Sequence, residues 1–210
     1  MPETSIRSRT KSFRDIHVAR ITQNDVGGYV AEAPVKLARA ITGKINDKYS
    51  SEKIYSDDGV EETITTYEGT DIEFEVNALA PQDRALLFGH LYENGFLVKN
   101  KNDQAPEVAV GYRAKKLNGK YEFTWYYCGK FGQGNEDSYE TESNSVKTQT
   151  NTLKGEFYER AKDGKYCLQV DESNLIEGNT TAAAAIAAWF ESVQEETAAP
   201  ATVPDENVGG

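Results

Sequence analysis

The sequence predicts a mainly β protein: an antiparallel β-sandwich or barrel with one or two short α-helices on its flanks. Segments in which apolar and polar residues alternate recur along most of the 210 residues. Asn118-Gly119 and Asp163-Gly164 each stand between two such segments, where they favour hairpin turns. Nothing in the order of elements indicates the strand–helix alternation of a parallel sheet.

In the first third of the chain, alternation predicts strands over 15–22, 34–45 and 64–79. The polar stretch 46–62 between the last two is interpreted as a long loop, with at most a short strand at 52–56. A loop of this length inside a compact domain is usually functional or mobile.

A helix is predicted from Pro81, because proline suits the first helical position and Asp83 adds a carboxylate to the first turn. Asn94-Gly95 is expected to end this helix, and a short strand at 96–98 follows.

Residues 107–131 are predicted to form one long hairpin that turns at Asn118-Gly119 as a two-residue loop. The alternation of each arm places four side chains on one face. In the first arm these are Val108, Val110, Tyr112 and Ala114, and in the second Tyr121, Phe123, Trp125 and Tyr127. This aromatic face is expected to pack the core of a sandwich.

The last third is predicted to contain a mobile loop at 132–145, a strand at 146–159 and a strand at 165–170. Asn179 is the expected N-cap of a final helix, whose apolar side extends to Val193.

Three regions are expected: a basic arm (1–14), one β domain (15–194) and an acidic disordered tail (195–210). The chain has a formal net charge of −11. The arm holds four cations and one carboxylate, a net of +3, so the other residues carry −14. A basic arm on an acidic body suggests docking on another copy, whereas a solvated terminus is the alternative. The acidic total disfavours sequence-specific DNA binding.

The composition offers little for catalysis, and we expect neither an enzyme nor a cofactor or metal site. The two histidines, His17 and His90, are far apart, and no spaced Cys/His cluster, nucleophile motif or phosphate loop occurs. Cys128 and Cys167 are expected to be free structural thiols. No apolar run approaches membrane-spanning length, and synthesis in the cytoplasm is expected.

Asp71, Glu73 and Glu75 alternate with apolar residues and should share one strand face. Carboxylates two positions apart on a strand lie about 7 Å from each other, which is compatible with acid–base chemistry. No surrounding residues predict a pocket. An ordinary solvent face and a face whose negative charge is functional are the other interpretations.

The segment 111–131, GYRAKKLNGKYEFTWYYCGKF, resembles the major tail protein family of long, non-contractile-tailed bacteriophages of Gram-positive hosts. Further segments fit that family in the same order: EAPVK (32–36), IYSDDG (54–59), LFGH (87–90), TQTNTLKG (148–155) and IAAWF (186–190). The resemblance covers about 15–193.

The resemblance implies a β-sandwich subunit that forms hexameric rings, which stack into the tube conducting phage DNA during ejection. The implied location is the virion tail, and the implied partners are further copies of the chain and the tape-measure, tail-terminator and distal tail proteins. DNA would pass without specific binding.

Within this hypothesis, Asp71, Glu73 and Glu75 are expected to face the lumen, because carboxylates repel phosphates. The contacts between rings are expected from the arm and the polar stretch, at Arg7, Arg9, Lys11, Arg14, Tyr49, Lys53, Tyr55, Asp57 and Asp58.

Two alternatives remain at this point. One is the inner-tube protein of a contractile injection or secretion system, which shares the sandwich. The other is a carbohydrate- or host-binding sandwich domain, in which exposed aromatics such as Trp125 or Tyr126 would line a concave site.

Overall fold

The computed structural model describes residues 5–56, 59–132, 150–177 and 180–196. These residues confirm the predicted fold class, a mainly antiparallel β protein with two short helices. The elements in chain order are β1 (Thr10–Asp25), β2 (Gly28–Ala31), β3 (Val35–Lys36), β4 (Ala40–Ser56), β5 (Gly59–Val76), α1 (Pro81–Phe88), β6 (Leu91–Glu93), β7 (Phe96–Val98), β8 (Val108–Lys116), β9 (Tyr121–Phe131), β10 (Asn151–Tyr158), β11 (Cys167–Asp171) and α2 (Thr180–Ala187).

One curled sheet contains nine of these strands. Seven follow the order β2-β1-β8-β9-β10-β5-β4, while β3 pairs with β1 and β11 with β9. The curl brings the two ends of the sheet together: the Phe13 ring of β1 stacks on Phe74 of β5, with ring centroids 5.3 Å apart. Gly43 of β4 lies under the same ring, and a Cβ there would come within 3.0 Å of it. The sheet therefore closes on itself through side-chain packing.

The main core fills the inside of this curl with side chains from β1, β5, β8, β9 and β10. Helix α1 closes the core through Leu87 and Phe88, both almost fully buried. The helix ends at Gly89, which has a φ of +71° and donates its N–H to the Ala85 carbonyl over 3.0 Å.

A second core lies on the opposite face of the central strands. Phe123 and Trp125 of β9 pack there against Trp189 and Phe190, which follow α2. The Trp125 indole N–H donates to the Trp189 carbonyl over 3.1 Å. The predicted face of β9, with Phe123 and Trp125, thus packs against the C-terminal segment, whereas the predicted face of β8, with Val108, Val110 and Tyr112, packs in the main core. Since Tyr126 is buried on the other side, β9 is covered on both faces.

The largest difference from the sequence prediction is at 46–62, which is not a loop. β4 and β5 pair continuously from Ala40↔Val76 to Ser56↔Gly59, so the stretch is the outer part of a hairpin with arms of 17 and 18 residues. The prediction failed because polar residues on both faces of a strand remove the apolar alternation that marks a half-buried strand.

Two turns also differ from expectation. Asn94-Gly95 does not end α1 but connects β6 to β7, with both φ values positive (51° and 83°). At the long hairpin, the Lys116 N–H donates to the Lys120 carbonyl and only Gly119 has positive φ. That pattern is a three-residue loop with a left-handed glycine, not a two-residue turn.

Asp163-Gly164 does not close a hairpin, because in the described residues β10 and β11 both pair with β9 and not with each other. The remaining strand predictions differ mainly in their boundaries. β1 begins five residues earlier than expected, and the predicted strand 34–45 is interrupted between β3 and β4. The strand predicted at 146–159 is described as β10, with 146–149 outside the described residues. The mobile loop predicted at 132–145 lies outside them from 133 onwards, as do Asn179 and the tail from 197.

Candidate functional site

The three predicted lumen carboxylates lie on the outer face of β5, as the alternation indicated. Asp71 and Glu73 are exposed and Glu75 is half-buried, while Ile72 and Phe74 between them are buried in the main core.

Lysines of the neighbouring strands stand among these carboxylates. In the register of the sheet, Lys44 of β4 and Lys154 of β10 lie opposite Glu73 on its two sides. Lys48 lies within 2.8 Å of Asp71 and 2.9 Å of Glu156. These hydrogen bonds, first to Asp71 and then to Glu156, hold the pKa of Lys48 above its ordinary value.

We call this surface the mixed-charge face. Its charged members are Asp71, Glu73, Glu75, Glu156, Lys44, Lys48, Lys130 and Lys154. These four carboxylates and four ammonium groups give a formal net charge of zero, and Glu107 borders the set, 3.7 Å from Lys130. The lysines offset the carboxylates of β5 because the register of the sheet places residues from distant strands beside them.

Hydroxyl groups bind the third carboxylate. Thr150 donates to one oxygen of Glu75 over 2.7 Å and Thr42 to the other over 3.2 Å. A shallow open groove of about 490 Å³ runs along the same face between Glu73, Lys130 and Lys154. The described residues that line it are mainly carboxylates, lysines and glycines, with Ile72 and Phe131 at its floor.

The four cations predicted to contact another ring lie just before β1 and in its first residues. Arg7, Arg9, Lys11 and Arg14 are all exposed. The backbone of this segment is hydrogen-bonded within the protein. β1 pairs with β8 from Thr10 onwards, and the Leu117 N–H donates to the Arg9 carbonyl. Farther out, Ile6 and Asn174 exchange two hydrogen bonds of 2.7 and 3.0 Å. From Ile6 to Arg14 the predicted arm is therefore part of the β domain rather than independent of it.

The other predicted contact residues belong to the β4–β5 hairpin. Tyr49, Lys53 and Tyr55 lie at alternate positions of β4 and so share one face. Tyr55 is 68% exposed. Asp57 and Asp58 lie outside the described residues.

Tyr49 also anchors the base of that hairpin. Its hydroxyl group lies 3.1 Å from that of Tyr166, and its ring meets Tyr67 edge-on at 5.6 Å. The Tyr67 and Tyr166 rings stack at 4.0 Å. The hairpin therefore leaves the body of the protein from a fixed tyrosine cluster.

We call residues 49–56 and 59–66 the hairpin tip. Residues 49–56 and 61–66 are all exposed, on both faces of the ribbon. The seven residues of β4 beyond Tyr49, at about 3.3 Å each, extend the tip roughly 23 Å from the cluster. The sequence pattern singled out this segment but predicted a loop where the structure has a hairpin. The sequence does contain a signal for this hairpin: both of its arms are rich in Tyr, Ile and Thr, which have high β-strand propensity.

The carbohydrate-binding alternative requires exposed aromatic side chains at Trp125 or Tyr126. Trp125 is fully buried and Tyr126 is 6% exposed, so neither can line the carbohydrate site that the binding-domain alternative required.

Cys128 and Cys167 are free thiols, and burial raises the pKa of each to about 12. Among the described residues no group of three His, Cys, Asp or Glu side chains could hold a metal ion. No described helix has the length and apolarity needed to cross a membrane.

Comparison with known proteins leaves the family open: no protein-family model matches the chain, and no curated protein matches it.

Proposed function

We propose that the protein is a structural tube subunit: copies assemble into hexameric rings, and the rings stack into a phage tail tube through which DNA passes. The hairpin tip is the observation that carries this proposal. A two-stranded ribbon is marginally stable by itself in water. Beyond Tyr49, residues 50–56 and 61–66 of the tip are all exposed, over roughly 23 Å. Its exposed Tyr55, Ile54 and Ile64 gain most if another molecule covers them.

The free edge of the sheet supports the same proposal. Among the described residues β4 pairs only with β5, so one side of a 17-residue strand presents unpaired N–H and C=O groups. Such an edge is a template for pairing with another chain. Contact between two different surfaces of identical subunits closes into a ring or continues as an open stack.

The mixed-charge face suits the wall of a DNA channel in a different way from the one first expected. A neutral mosaic of paired lysines and carboxylates offers a phosphate backbone no concentrated positive patch, which is what non-specific DNA binding requires. We propose that this face, including Asp71, Glu73 and Glu75, lines the lumen, and that the tube contacts tape-measure, tail-terminator and distal tail proteins in the virion.

Negative-stain electron microscopy of the purified protein over a range of concentrations tests the proposal. Rings or hollow tubes that become longer as the concentration rises are the expected result. A monomer at every concentration, even after tube fragments are added as seeds, would contradict it.

A further inference from the structure

The small β6–β7 hairpin carries an apolar surface that its own chain leaves open. Leu91 lies opposite Val98 and Glu93 opposite Phe96, so these four side chains share one face. Leu91, Phe96 and Val98 are 57%, 72% and 51% exposed. We call these three residues the Phe96 patch.

The other face of β6–β7 is already in use. Tyr92 and Leu97, which point the opposite way, are half-buried, and the Tyr92 hydroxyl group accepts a hydrogen bond of 3.0 Å from Gln82 of α1. A ribbon held on α1 by one face is a rigid platform for the other. Exposed apolar side chains gathered on such a platform indicate an interaction surface.

The hairpin tip has a face that complements this patch. Register places Ile64 opposite Glu52 and Ile54 opposite Glu62, so two isoleucines and two glutamates alternate on one face. This face is the reverse of the one that carries Tyr49, Lys53 and Tyr55. Ile54 is 41% and Ile64 45% exposed. We call it the isoleucine face.

The charges around the two surfaces are opposite. Lys99 and Lys101 follow β7 directly, are exposed, and make no ion pair among the described residues. Glu52 and Glu62 on the isoleucine face are also exposed. Glu93, at the turn end of the Phe96 patch, carries a negative charge, so the glutamates of the tip should lie at the end of the patch nearer Lys99.

We propose that the isoleucine face of one copy docks on the Phe96 patch of another copy. This inference rests on the proposed function, because it names the surface that receives the hairpin tip. Both surfaces are exposed in the same chain, so they do not cover each other within it. The contact joins two different surfaces, and a contact of that kind leaves each copy able to give one hairpin tip and receive another.

Disulfide trapping between two variants tests the contact directly. Ile54→Cys and Phe96→Cys proteins are purified separately, mixed and oxidised, and the products are separated without reductant. The mixture should give a covalent dimer that neither variant gives alone. Ser51→Cys, on the opposite face of the tip, is the matched control and should not link to Phe96→Cys.

Assembly of a second pair of variants separates this inference from the proposed function. Phe96→Ser should raise the concentration needed for half-assembly at least about tenfold, equivalent to about 1.4 kcal/mol. Leu117→Ser, which changes another exposed side chain on the β8–β9 turn, should leave that concentration unchanged.

Tubes that form normally from Phe96→Ser protein, with no disulfide between Ile54→Cys and Phe96→Cys, would overturn the docking contact. The Phe96 patch would then belong to some other partner, and the tube proposal would remain intact. Failure of the unmodified protein to associate at any concentration would overturn both.

Discussion

Arg160 connects the C-terminal segment to the sheet through one buried charge. It is 1% exposed, and its guanidinium group lies 4.1 Å from the centre of the Tyr127 ring. Two nitrogens bind Asp163 at 2.7 Å each, and one also lies 3.0 Å from Glu195. The third guanidinium nitrogen, Nη1, has no hydrogen-bond partner among the described residues. A buried cation held in this way stabilises the fold only while its carboxylates remain.

Replacing this arginine tests that dependence. Arg160→Ala should lower the free energy of unfolding by about 3 kcal/mol, because Asp163 loses its partner and the ring contact disappears. Lys162→Ala removes an exposed ion pair to the same Glu195 and should cost less than about 1 kcal/mol. Urea unfolding of the three proteins measures the difference, and equal losses would contradict the assignment.

The pH dependence of the same pair has a definite sign. The hydrogen bonds from Arg160 lower the pKa of Asp163 from 3.8 to about 2 in the folded protein. Because the folded pKa lies below the unfolded one, the contribution is complete above about pH 4 and is lost as the pH falls towards 2. The stability difference between the unmodified protein and Asp163→Asn should therefore shrink over that interval, and a constant difference would rule out this origin.

At the scale of elements, the hairpin tip should be separable from the fold. Joining Ser50 to Thr66 by a short Gly-containing turn removes residues 51–65, most of the tip, but keeps Tyr49, Tyr67 and Tyr166 together. The described side chains that are removed are exposed, so the thermal unfolding midpoint should change little, while assembly should be lost because the projecting contact is gone. Loss of the folded state would show that the tip supports the body, and normal tubes would exclude the tip from assembly.

The same elements show what sequence patterns could predict. β5 from Ile72 to Val76 was placed correctly because one face is buried and the other is polar, which produces clean alternation. The hairpin tip was missed because neither of its faces is buried by its own chain. The sequence pattern extended α1 too far, because Gly89 and Asn94-Gly95 are both acceptable helix ends. In the structure the backbone of Gln104 packs directly against Gly89, and the helix ends there.

The candidate site was predictable only in part for a related reason. Alternation placed Asp71, Glu73 and Glu75 on one face, but each cross-strand neighbour depends on pairing between segments far apart in the chain. Lys154 comes from a strand about 80 residues away, and no local pattern connects it to Glu73.

At the scale of the whole molecule, the balance of charge on the mixed-charge face should decide whether a tube releases DNA. Replacing Glu73 and Glu75 by lysine changes the net charge of that face from zero to +4 in every subunit. The hairpin tip and the Phe96 patch are untouched, so tubes should still form. Their lumen should then retain DNA at low salt on the order of tenfold more strongly, with a steep decrease as salt rises.

The matched control reverses the sign of the charge at four positions and keeps the net charge of the mixed-charge face at zero. Adding Lys44→Glu and Lys154→Glu to the same protein restores a net charge of zero with the positions of the charges reversed. DNA retention by assembled tubes, measured by filter binding over a series of salt concentrations, should return to that of the unmodified protein. In virions the doubly substituted subunit should slow ejection and the exchanged one should not. If the +4 tubes retained no more DNA than the neutral ones, the mixed-charge face would not be exposed to DNA in the tube and the lumen proposal would fail, because an accessible surface whose net charge rises by four per subunit should bind phosphate.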